Sequence, residues 1–115
     1  MLKVFQESDK VIIDLCGRKR DVIISPLEAE RLADALDENA NAAELETPQL
    51  VRMDIWNCYV TNRDHLVVMR FTPPDGITAT RVPMPHKAAR AIADLLRTNA
   101  NMAGYGLRIE TVVRV

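Results

Sequence analysis

The sequence predicts an α+β fold in which a strand-strand-strand-helix unit occurs twice and a C-terminal strand follows. The resulting sheet is mostly antiparallel, with about seven strands and two helices packed on it. This rests on an internal repeat, on apolar runs that alternate with a period of two, and on a pair of amphipathic stretches that each open at a proline.

The repeat is clearest in the helices. Ala33-Asp34-Ala35-Leu36-Asp37-Glu38-Asn39-Ala40-Asn41-Ala42-Ala43 matches Ala93-Asp94-Leu95-Leu96-Arg97-Thr98-Asn99-Ala100-Asn101-Met102-Ala103 at seven of eleven positions. Upstream, Val11-Ile12-Ile13 aligns with Leu66-Val67-Val68. In both halves an apolar run leads through a turn to a second extended run, a proline and a helix, which sets unit boundaries at 1–47, 48–104 and 105–115 within a single domain.

Within the first unit, Leu2 to Gln6 reads as a strand and Glu7 to Asp9 as a turn. Val11, Ile13 and Leu15 alternate with Lys10, Ile12 and Asp14, the two-residue period of a second strand. Cys16 to Asp21 connects it to a returning strand, Val22-Ile23-Ile24. Ser25 is then a natural N-cap. Pro26 takes the first helical position, where its missing N–H costs nothing, and Glu28 completes a capping box. Ala29, Leu32, Ala33, Leu36, Ala40 and Ala43 form one apolar stripe, and Thr47-Pro48 closes the unit.

The second unit repeats the plan with one long strand from Val51 to Thr61, a turn at Asn62-Arg63-Asp64, a strand from Leu66 to Phe71 and a return from Ile77 to Val82. Pro85 opens its helix with Met84 where Ser25 stood, so the cap is weaker. Ala89, Ile92, Ala93, Leu96, Ala100 and Ala103 reproduce the stripe, and Gly104 is a good stop. Leu107 to Val115 is the last strand.

Composition narrows the function classes. Hydrophobic residues make up 48% and charged residues 27%, the balance of a globular chain, and a net charge of -1 gives no global attraction to polyanions. No run approaches the roughly 20 apolar residues of a membrane span, and Met1 to Asp9 lacks the apolar core of a secretory signal. Cys16 and Cys58 stand alone, so reduced thiols, a cytosolic location and no metal or other cofactor are expected.

Catalytic constellations are missing too. His65 and His86 have no partner at ligand spacing, and a Cys58–His65 nucleophile-base pair would lack an orienting group and an oxyanion donor. A non-catalytic protein is therefore expected.

What remains points to binding. Ile12, Ile23, Val67, Met69 and Val112 occupy the parity that alternation sets opposite the helix-facing residues. A helix is about 10 Å across and strands lie about 4.8 Å apart, so two helices cover roughly four strands. The uncovered remainder is expected to meet a protein partner or a second copy in a homodimer. The helices differ in charge, with seven acids against Arg31 between Pro26 and Glu46, and Lys87, Arg90 and Arg97 against Asp94 in the other. That contrast suits docking of an acidic surface on a basic one.

The alternative is nucleic-acid binding through Arg18-Lys19-Arg20 at a hairpin tip, although five aromatics offer little for base stacking. Regulators and inhibitors carried by phages and mobile elements are often small domains of this kind, which sets the base-rate expectation for the biological role.

Overall fold

Both strand pairs that open the repeats are tight hairpins, and their geometry fixes everything downstream. The computed structural model describes residues 2–15, 21–41, 48–76, 79–104 and 111–115. Strand β1 (Leu2–Glu7) pairs antiparallel with β2 (Lys10–Asp14), with Glu7 opposite Lys10 and Ser8 in the left-handed region at φ 55°. Later in the chain β5 (Asn57–Arg63) pairs in the same way with β6 (Leu66–Thr72), with Arg63 opposite Leu66 and Asp64 and His65 at φ 53° and 63°. A positive φ within a two-residue loop matches the strand twist, and Asp and His adopt it more readily than most residues.

Each hairpin gains a third antiparallel strand, β3 (Val22–Ile24) on β2 and β7 (Thr80–Pro85) on β6. A helix follows each: α1 (Pro26–Asn41) and α2 (His86–Met102). The capping box at α1 is formed as expected. The Ser25 N–H donates to Glu28 Oε1 at 2.8 Å and the Glu28 N–H donates to Ser25 Oγ at 3.2 Å. At α2 the cap position is Pro85, which makes no side-chain cap bond, and Met84 is instead the last core residue of β7. Gly104, at φ 90°, ends α2, and its N–H donates to the Ser8 carbonyl at 2.7 Å.

The α+β class and the two helices on antiparallel sheet are present as the sequence indicates, with the strands divided between sheets. Two four-stranded sheets have the orders β3-β2-β1-β8 and β4-β5-β6-β7. The run from Val51 to Thr61 is not one strand. It comprises β4 (Gln49–Arg52) and β5, which fold back on each other through Met53–Trp56. Glu28 explains the reversal, because its second carboxylate oxygen accepts the Asp54 N–H at 2.6 Å and ties the turn to the start of α1.

The last strand, β8 (Thr111–Val113), pairs with β1. The repeating unit is thus strand-strand-strand-helix-strand, one strand longer than the boundaries at 47 and 104 suggest. Each unit's fourth strand completes the other unit's sheet: β4 joins β5, and β8 joins β1.

The helix pair packs against both sheets. Helix α1 packs on β4, β5 and β6 of the second sheet and on β2 of the first, while α2 packs on β1, β2 and β8 of the first and on β6 and β7 of the second. Leu32, Leu36, Ile92 and Leu96 are fully buried with Val4, Ile13, Met69 and Phe71 in one continuous core. Where the helices cross, Arg97 binds Asp37 at 2.5 Å and Asp34 at 2.9 Å. Asp37 and Arg97 are repeat equivalents, so the charge contrast between the helices is used within the chain. Among the described residues no helix is long and apolar enough to cross a membrane.

Candidate binding face on the second sheet

Strand parity decides which side chains leave the core. On β6, Val67, Met69 and Phe71 are fully buried, whereas Leu66, Val68 and Arg70 face away from the helices. Val67 and Met69 are therefore core residues and do not lie on the open face where the sequence reading put them. The reason is a slip of one residue. Aligning Val11-Ile12-Ile13 with Leu66-Val67-Val68 pairs Ile12 with Val67, but the two hairpin turns superpose Val11 on Val67 and Ile13 on Met69. A one-residue shift exchanges the faces of a strand.

Of the other three, Ile12, Ile23 and Val112 do lie on the outer face of the first sheet. Ile23 and Val112 are 47% and 49% exposed, while Ile12 is 6% exposed and sits in a row with Phe5. Arg18, Lys19 and Arg20 lie outside the described residues.

A broad hollow lies on the outer face of the second sheet. It encloses about 610 Å³. The register arranges its lining in rows across the strands. Tyr59, Arg70 and Arg81 form one, with Arg70 directly opposite both its neighbours, and Leu50 extends it on β4. Thr61, Val68 and Pro83 form the floor beside Pro48, and Arg63 with Leu66 closes the end next to Asp64. Three arginines thus stand round a largely apolar floor.

The first sheet carries an equivalent row with different charges. Superposing the hairpins places Lys3 on Tyr59, Asp14 on Arg70, and Glu7 and Lys10 on Arg63 and Leu66. In the first sheet Lys3 opposes Asp14 and Glu7 opposes Lys10, so opposite charges sit across the strands. In the second sheet the corresponding partners are neutral, and Arg70 meets Arg81, a like-charge pair that disfavours the sheet. At the position equivalent to Arg81 the first sheet has Asp21, next to Asp14, so a like-charge pair of the opposite sign recurs there.

The remaining candidates resolve simply. Cys58 is fully buried on the core side of β5, and desolvation pushes its thiol up to about 12. His65 is exposed in the β5–β6 turn, at the other end of the strand from Cys58. The two do not form a nucleophile and base. His86 is half-buried, with Nε2 3.0 Å from Asn62 Oδ1, which ties α2 to β5 near the uncapped helix start.

Asn39 and Asn99 each donate to the carbonyl four residues back, Ala35 and Leu95, both at 2.8 Å. Their recurrence is thus structural. No group of three or more His, Cys, Asp or Glu is placed to hold a metal ion among the described residues.

Sequence reasoning did not single out Arg63, Arg70 and Arg81, because they lie on three strands and look like ordinary solvated positions one at a time. The available signal was the parity shared by Tyr59, Thr61 and Arg63 and by Leu66, Val68 and Arg70, which mixes apolar and basic residues without an acid. Comparison with protein-family models, with curated proteins and with solved structures finds no match for this chain.

Proposed function

We propose that this protein is a non-catalytic binding module that recognises another protein through the outer face of its second sheet. The observation that carries this reading is the hollow of about 610 Å³, in which Tyr59 and three arginines surround Val68, Pro83 and Leu66. Aromatic residues and arginine over a desolvated apolar centre are the composition of energetically dominant protein contacts. Two copies meeting symmetrically through this face would set its arginines against one another, so the partner is a different chain.

Tyr59 and Leu66 are 37% and 38% exposed, so both can be changed without opening the core. The test is an affinity pull-down from cell lysate with nuclease present, comparing the wild type with a Tyr59→Ala, Leu66→Ser double variant. A protein held by the wild type and lost from the variant is the expected result. Equal retention by both would remove this face from consideration. Retention that disappears with nuclease would turn the assignment to nucleic acid.

A further inference from the structure

Charge decides what kind of protein segment the face can take. Arg70 and Arg81 stand directly opposite each other, with Cα atoms about 4.5–5.5 Å apart as in any antiparallel pair. Both are exposed, and Arg70 is flanked on its other side by Tyr59. Such a pair repels itself in the free protein, and a carboxylate between two guanidinium groups removes the repulsion while gaining charge-assisted hydrogen bonds.

Arg63, Arg70 and Arg81 line the hollow against one acid, Asp64, in the β5–β6 turn, so positive charge is in excess there. The repeat-equivalent row in the first sheet runs Lys3, Asp14 and Asp21, so a like-charge neighbour recurs there with the opposite sign, with Lys3 as the cross-strand counter-charge where the second sheet has Tyr59. One strand position along, Val68 and Pro83 form an apolar shelf.

We infer that the second sheet's outer face binds an extended acidic segment of a partner protein, with carboxylates on Arg70 and Arg81 and apolar side chains on Val68 and Pro83. This rests on the protein-binding reading above. The sheet is four strands wide, about 14 Å between its outer strands, which about four extended residues cross. A nucleic-acid strand fits less well, since Tyr59 is the single aromatic residue lining the hollow.

The experiment uses fluorescence anisotropy with three labelled probes: a ten-residue peptide alternating Glu and Leu, the same peptide with Lys for Glu, and a ten-nucleotide oligothymidylate. The acidic peptide should bind, weaken with added salt, and lose about five- to tenfold in affinity with either Arg70→Gln or Arg81→Gln.

Thermal melts supply a second readout. Relief of like-charge repulsion should leave each variant melting at or above the wild-type temperature. No binding of the acidic peptide, equal binding of the Lys peptide, unchanged affinity in the variants, or tighter binding of the oligonucleotide would each overturn the inference. So would a variant that loses binding and melts lower, since that marks a structural role. If the pull-down depends on Tyr59 and Leu66 while the acidic probe fails to bind, this inference falls and the protein-binding reading stands.

Discussion

Asp21 sits just before β3, where partial burial, then the Asp14 carboxylate, raise its carboxyl above the ordinary aspartate value of 3.8. Because the folded state holds that proton more readily than the unfolded chain, ionised Asp21 works against the fold at neutral pH. The loss vanishes below the unfolded value, where both states are protonated. Asp21→Asn is therefore expected to raise Tm by about 1–2 °C at pH 7, with the gain fading as pH falls towards about 3. Thermal melts across that range check it, and a gain independent of pH would refute the electrostatic origin. Cys58 has also been pushed up, but by the apolar core around it, and that burial keeps the thiol protonated and out of reach.

At the scale of elements, Glu28 links two structures that are far apart in sequence. One carboxylate oxygen completes the cap of α1 and the other holds the Asp54 N–H in the β4–β5 reversal. Ser25→Ala removes one cap acceptor and is expected to cost about 1 kcal/mol. Glu28→Ala also frees the reversal and should cost about 2–3 kcal/mol. Urea denaturation of both variants measures the difference, and equal losses would mean that the Asp54 bond contributes nothing.

The cap half of this arrangement was legible in Ser25-Pro26-Leu27-Glu28, because capping chemistry is local. The reversal was not. Val51 to Thr61 has strand composition throughout, and the acceptor that bends it lies on another element. The helices, the stripe positions from Ala29 to Ala40 and from Ala89 to Ala100, and the Gly104 stop were likewise readable from spacing alone, while Ala43 lies outside the described residues. Strand parity on β6 was not, since Leu66 and Val68 are as apolar as Val67 and Met69. The arginine face shares that origin, because it exists only once the register is known.

Across the whole molecule the exchange of fourth strands binds the two repeats into one unit. The first sheet cannot be completed without β8, nor the second without β4, and each helix packs on both sheets. Neither repeat therefore has a core of its own, and unfolding one exposes the other. Ile13, fully buried on β2, gives a clean probe, since Ile13→Val removes one methyl group at a cost of about 1 kcal/mol. If the exchange couples the halves, native-state hydrogen exchange will show the slowest amides of β5 and β6 losing as much protection as those of β1 and β2. Calorimetric and van't Hoff enthalpies will then agree, as they do in a single cooperative transition. Protection lost from β1, β2, β3 and β8 alone would show that the sheets open independently. In the coupled case the outer arginine face can carry its own repulsion, because the stability of the whole core supports the sheet on which it stands.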